Sequence, residues 1–300
     1  MHTCGHTYTY IYAYIHIYIH SFMHIKGGKK HDPKHSEDPL KEISVMQHIS
    51  SQHHSHPGHK HIVNLRDALW NDHLVFEIMN YYNGGDLLGK LSPSGFEENM
   101  VKSLFTQLLL GLDLIHKCSV ANLDISLENI LWHEEPSSSS SSSSINVVLT
   151  DFGLSERVSD VNVIFFTCRG KKYYYSPEYF FNPPPRSLAV FKLDMWAMGI
   201  VLLLLSTGRE PYSTTASNWR SQMHTFHGWV LNGNLPQIRV LNPKYDRNAP
   251  NNNEPIDISI SQRVAQNAMT CINAMLVVQP QYRNATIEDI LNLPWFHTES

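Results

Sequence analysis

The chain has 300 residues, with 23 basic against 27 acidic side chains and a formal net charge of −4. That length is enough for a sizeable core, and that balance supplies no basic field for nucleic acid or a membrane surface. Four cysteines form no C-x-x-C pair, which suits a reducing compartment, and the longest apolar run falls well short of the ~20 residues of a membrane span. No charged segment precedes a Leu/Ala-rich stretch at the start, so a cytoplasmic protein is expected.

Residues 1–21 come first. From Tyr8 to His20, Tyr and His alternate with Ile, Thr and Ala, which is the period of a strand. The same residue set is what a translated dinucleotide repeat yields, so low-complexity sequence is the favoured reading and a genuine strand the alternative. Between Leu40 and Ile49, three apolar residues (Ile43, Met46 and Ile49) share one face at helical spacing. The run from His53 to His61 holds five histidines, the commonest metal ligand. With Pro57-Gly58 in its middle and no cysteine or carboxylate partner nearby, it reads as a loop rather than a zinc site.

Leu74 to Met79 is a strand that ends in the polar Gly84-Gly85 corner. Phe105, Leu108, Leu109, Leu112 and Ile115 recur at helical spacing and describe a half-buried helix. It feeds the segment Asn122 to Leu131, in which the carboxylate of Asp124 stands five positions before the carboxamide of Asn129. Eight serines, Ser137 to Ser144, cannot build a core and read as a flexible tip between two short strands. The second of these, Ile145 to Leu149, runs into Asp151. Ile200 to Leu205 belongs to a core helix.

Asn122-Leu-Asp124-Ile-Ser-Leu-Glu-Asn129 followed by Asp151-Phe152-Gly153 resembles the catalytic loop H-R-D-L-x-x-x-N and the D-F-G motif of eukaryotic protein kinases. Tyr175-Ser176-Pro177-Glu178 is similar to the A-P-E end of that family's activation segment. Asp194 to Gly199 is similar to the start of its large buried helix, and Tyr282-Arg283 with Leu293 to Phe296 to its closing segment. The resemblance spans about residues 22 to 297. It implies an α+β, two-lobed fold: a small, β-rich and incomplete N-lobe at 22–79, a hinge at 80–83 and a larger helical C-lobe at 84–297, with the serine tract as an insertion.

The implied activity is transfer of the γ-phosphoryl group of Mg·ATP to a protein substrate, Ser/Thr hydroxyls first, with no nucleic acid or membrane partner. Asp124 would accept or orient the hydroxyl proton, and Asn129 and Asp151 would hold Mg²⁺. Met23-His24-Ile25-Lys26 is similar to V-A-I-K, which makes Lys26 the candidate for the α/β-phosphates, with Lys29 and Lys30 as competitors. Glu42 would pair with that lysine. Met79 would back the adenine pocket, backbone groups of Asn80 to Tyr82 would bond the adenine edge, Asp86 would reach the ribose and Leu131 would pack under the base. Glu178 and Arg283 would form a buried ion pair.

Several positions depart from the family pattern. No G-x-G-x-x-G precedes Lys26, and His24 stands where an alanine would lie against adenine. Asn122 replaces the histidine that braces the D-F-G phenylalanine, so Phe152 is expected to be less firmly held. Leu123 replaces the arginine that grips a phosphate on the activation segment, at Ser155, Ser159 or Thr167 for example, so little dependence on such a phosphate is expected. Ser126 stands where Ser/Thr kinases carry a lysine, while Lys171 stands where they carry a facing threonine. Either Lys171 supplies the missing cation from the other side, or it points to solvent. The alternative function is a non-catalytic kinase-like fragment or pseudokinase acting through binding.

Overall fold

The computed structural model describes residues 17–19, 23–24, 39–70, 74–135, 144–158, 162–163, 168–180, 188–212, 216–233, 264 and 266–298. Among the described residues, the first lobe holds one sheet and one α-helix. Strands β1 (Ile17–Ile19) and β2 (Met23–His24), helix α1 (Pro39–Ser50), and strands β3 (Leu65–Trp70) and β4 (Leu74–Asn80) follow in order. The central strand is β4: β1 and β2 pair with it in succession, and β3 pairs antiparallel with it as well. On α1 the anticipated stripe of Ile43, Met46 and Ile49 is buried together with Val45.

Tyr18 faces Met79 across the β1–β4 ladder, whereas His24 faces Leu74 at the other end of β4. Five residues of strand separate Leu74 from Met79, roughly 16 Å, so the backbone of His24 does not lie beside Met79. It is Ile17–Ile19, from the alternating stretch, that takes that place. Lys26, Lys29 and Lys30 lie outside the described residues.

The second lobe starts with the short helix α2 (Leu87–Lys90), capped by Asp86 Oδ1, which accepts the Gly89 N–H at 2.7 Å. The long helix α3 (Glu98–Lys117) buries Phe105, Leu108, Leu109, Leu112 and Ile115 completely. Then come β5 (Val120–Ala121), the hairpin of β6 (Ile130–Glu135) with β7 (Ser144–Leu149), and β8 (Glu156–Arg157), which pairs with β5. The serine tract falls between β6 and β7, and Ser144 is already in register opposite Glu135. Strands β9 (Asn162–Val163) and β10 (Leu188–Ala189) pair ahead of α4 (Val190–Thr207).

Being apolar on all sides, α4 has to be enclosed by protein. Its length and composition would suit a membrane span, but it is buried in the centre of the lobe. It packs against α3 and α6 (Gln266–Met275), and its Trp196 meets Phe226 and His227 of α5 (Trp219–Leu231), while α7 (Ile287–Leu291) and α8 (Pro294–His297) pack on α3. A single core cluster runs from Met46 on α1 through α3 and α4 to Trp295.

The histidine run is a set of fasteners. His56 Nε2 lies 3.0 Å from Asp113 Oδ2 on α3, and its Nδ1 accepts the Gly58 N–H. His59 reaches the carbonyls of Gln52 and His53, and His61 that of Val147. The carboxylate partner missing from the local sequence is therefore supplied from 57 residues away. Gly111 lets the turn approach α3, since a Cβ there would come within 2.8 Å of the His61 carbonyl.

Candidate active site

The loop from Asn122 to Asn129 hangs from Asp194, a fully buried residue of α4. Its carboxylate accepts the backbone N–H groups of Asn122 and Leu123, each at 2.8 Å, and lies 2.9 Å from His116 Nε2. These bonds hold Leu123 at φ +65°, a conformation that a branched side chain rarely adopts without such support. Asn122 Oδ1 then accepts the Asp124 N–H at 3.0 Å, and Tyr174 Oη accepts the Leu127 N–H at 3.0 Å. Asn122 thus braces Asp124. Phe152 is nonetheless completely buried, its N–H donated to Glu42 Oε1 at 3.0 Å. Glu42 therefore stands beside the D-F-G segment.

Asn129 donates its amide to Asp124 twice, to the backbone carbonyl at 3.0 Å and to Oδ2 at 2.8 Å. Lys171 completes the group. Its ammonium lies 2.8 Å from Ser126 Oγ, 2.9 Å from Asn129 Oδ1 and 3.6 Å from Asp124 Oδ2. Of the two dispositions open to Lys171 from sequence, the side chain adopts the one directed into the loop. Gly170, just before it, sits at φ +80° and close against Asp124, where a Cβ would come within 2.9 Å of Oδ1.

The other oxygen of Asp124, Oδ1, is buried and has no hydrogen-bond partner among the described residues. Burial pushes the Asp124 carboxyl up to about 6; the Lys171 charge opposes this and the Asp151 charge adds to it. Asp151 itself sits at φ +62°, its Oδ1 accepting the Gly153 N–H at 3.2 Å. A non-glycine residue held in that region at two neighbouring corners, Leu123 and Asp151, marks stored backbone strain of order 1–3 kcal/mol each.

A cleft of about 340 Å³ opens beside this group, between the end of β4 and the start of β6. Met79, Asn80, Tyr82, Asp86 and Leu131, proposed from sequence as the adenine and ribose contacts, all line it. Gly84 and Gly85 tie its rim to Trp132 through two backbone bonds of 3.0 and 2.8 Å. Asp86 spends Oδ1 on its helix cap, and the Asn80 N–H on the carbonyl of Asn64 at 3.3 Å. Thr150 and Glu128 line the cleft too and were not singled out from sequence; their only signal was adjacency to Asp151 and Asn129.

Two more residues escaped the sequence reading. The sequence marks Asp194 only as part of a helix, and its grip on the loop comes from residues more than 70 positions away. Glu77, on β4, is buried with neither carboxylate oxygen hydrogen-bonded among the described residues. The remaining expectation concerned modification: Ser155 is fully buried and donates its hydroxyl to the Phe152 carbonyl, so it is not a free acceptor for phosphate. Ser159 and Thr167 lie outside the described residues. The pair Glu178–Arg283 is buried and bidentate, at 2.8 and 3.2 Å.

The protein kinase domain profile matches residues 7–296. The chain belongs to the protein kinase family. It is 27% identical over 244 residues to sucrose non-fermenting protein kinase 1 of Fusarium virguliforme, covering 80% of this chain and 28% of that protein. It is 28% identical to the serine/threonine-protein kinase Nek5 of Mus musculus, over 63% of this chain and 27% of that protein. Against serine/threonine-protein kinase cds1 of Schizosaccharomyces pombe the identity is 25%, over 87% and 48%. The chain thus spans between about a quarter and a half of the length of these relatives.

Proposed function

We propose that this chain is a protein serine/threonine kinase that transfers the γ-phosphoryl group of Mg·ATP to a protein hydroxyl. The observation that carries this is the cluster of Asp124, Asn129, Ser126 and Lys171, in which a buried carboxylate and an ammonium face each other across one carboxamide. Asp124 Oδ1, with no hydrogen-bond partner among the described residues, keeps an acceptor site for the hydrogen bond of a substrate hydroxyl. Oδ2, fixed by Asn129, sets its orientation.

The residues fit the implied cofactor. Mg²⁺ prefers hard oxygen donors, and the Asp151 carboxylate and Asn129 Oδ1 are of that kind. When bound, the metal would offset charge on the phosphates of ATP. Asn129 Oδ1 already accepts a cationic donor from Lys171, which agrees with a position built for positive charge. Lys171 provides from the activation segment the ammonium that Ser126 cannot provide from the loop, and a fixed cation serves developing phosphoryl charge from either side. The cleft beside Met79 and Leu131 takes the adenine, with Asp86 at the ribose end.

Phosphoryl transfer from labelled Mg·ATP to a mixed Ser/Thr/Tyr protein substrate tests the reading, with an Asp124→Asn chain beside it. Transfer to Ser or Thr that vanishes in the variant is the expected result. Equal counts from both chains would leave a binding protein in place of an enzyme.

A further inference from the structure

One carboxylate outside the transfer site is shared by two cations from different parts of the chain. Glu156 Oε1 lies 2.8 Å from Lys41 Nζ and 2.6 Å from Arg169 Nη1. Lys41 immediately precedes Glu42 on α1, and Arg169 stands two residues before Lys171. The strand under Glu156 is itself fixed to the catalytic loop, because Glu156 is in register opposite Ala121, the residue before Asn122. Arg169 Nη1 also donates to the Leu154 carbonyl at 3.2 Å, which closes the segment after D-F-G onto the same point.

We propose that Glu156 is a positioning residue: a built-in anion that locks α1 and residues 168–171 onto the catalytic loop, so that Glu42 and Lys171 are held in place without a phosphate. Its catalytic consequence rests on the kinase reading given above. Three facts lead here. Leu123 supplies no cation from the loop, so a phosphate on this segment would lack that partner. Ser155, next to Glu156, is buried and its hydroxyl is spent on Phe152. The two cations converge on a single oxygen from elements that carry, one and two residues on, Glu42 beside Phe152 and Lys171 beside Asp124. Although burial alone would raise the Glu156 carboxyl, its bonds to Lys41 and Arg169 hold it below the ordinary range, so it is charged near neutrality. Each pair is about a quarter to a third exposed and would be weak alone. The consequence lies in coupling, since one charge links three segments.

The test uses Glu156→Gln, Lys41→Met and Arg169→Met, singly and combined, in the full chain, read by hydrogen exchange and by kcat at saturating Mg·ATP. Glu156→Gln is expected to speed exchange at least tenfold in both 39–50 and 168–175 while leaving Val190–Thr207 unchanged. Lys41→Met should loosen only 39–50, and Arg169→Met only 168–175. Turnover should fall about tenfold or more in Glu156→Gln, by misplacement of Glu42 and Lys171, and Glu156→Gln should cost nothing further in the Lys41→Met/Arg169→Met background. Wild-type exchange in both segments of Glu156→Gln, or a full additional loss in the triple variant, would overturn the proposal. The exchange measurement decides it even if the wild-type chain transfers no phosphate, an outcome that would sink only the kinase reading.

Discussion

The Lys171 ammonium donates to Asn129 Oδ1 at 2.9 Å and to Ser126 Oγ at 2.8 Å, so the side chain that replaces the loop lysine is bonded to the residue standing in that lysine's place. If that charge serves the transfer, Lys171→Ala should lower kcat by about 10²-fold or more, the scale on which single preorganised electrostatic groups act. Steady-state kinetics checks this. Adding Ser126→Lys to the variant should restore part of the loss, and a neutral Lys171→Ala would mean that the charge does not serve the transfer.

Asp124 has to be ionised to accept a proton, and burial pushes its carboxyl up to about 6. The profile of kcat/KM against pH should therefore rise through an acidic limb centred near 6 in the free enzyme. Lys171 opposes the upward shift, so in Lys171→Ala the limb should move to higher pH as well as lower rate. A limb that stays put in the variant would separate Lys171 from Asp124.

What the sequence made legible was local. Met79, Asn80, Tyr82, Asp86 and Leu131 converge on one cleft because strand ends and a Gly-Gly corner are written in consecutive residues. The stripe of Phe105 to Ile115 was legible because 3.6-residue periodicity is a local pattern, and all five of its residues are buried. The grip of Asp194 on Asn122 and Leu123 spans more than 70 residues, and that of Glu156 on Lys41 spans 115, and neither leaves a pattern in the chain. The same holds for His56, whose carboxylate partner Asp113 sits on another element. Strand register also resists local reading, since a repeat of alternating residues fits a sheet equally well at several offsets. Only the structure shows that Ile17–Ile19 lies opposite the Met79 end of β4 and Met23–His24 opposite its start.

Arg283 and Glu178 make a bidentate pair with both side chains excluded from water, and Arg283 also donates to the carbonyls of Val277 and Lys192. Removing one partner strands the other charge in the core, which costs roughly 3–5 kcal/mol. Arg283→Ala should lose stability on that scale in urea unfolding. Glu178→Gln, which keeps an acceptor for the guanidinium, should lose less. Equal and small losses would mean that the pair is dispensable packing.

Glu77 is the reverse case, a buried carboxyl. Neither oxygen has a hydrogen-bond partner among the described residues, and burial first, with the Asp151 charge second, pushes the carboxyl up to about 7 from an ordinary 4.5. The fold therefore accepts the protonated form, and the stability linked to Glu77 is fully present below about pH 4.5 and lost as pH rises through 7. Replacing the side chain with an apolar one of similar length removes the penalty. Glu77→Met should gain about 2–3 kcal/mol over wild type at pH 8, and the two proteins should converge as pH falls toward 4.5. Unfolding curves at pH 5 and pH 8 decide the matter: a gap that does not narrow with falling pH would mean that Glu77 is already paired. The position lies two residues from Met79 on the same strand, where alternate side chains share a face. Stability lost to Glu77 at neutral pH is thus lost beside the cleft, and a variant that regains it while leaving kcat unchanged would show that this carboxyl takes no part in the transfer.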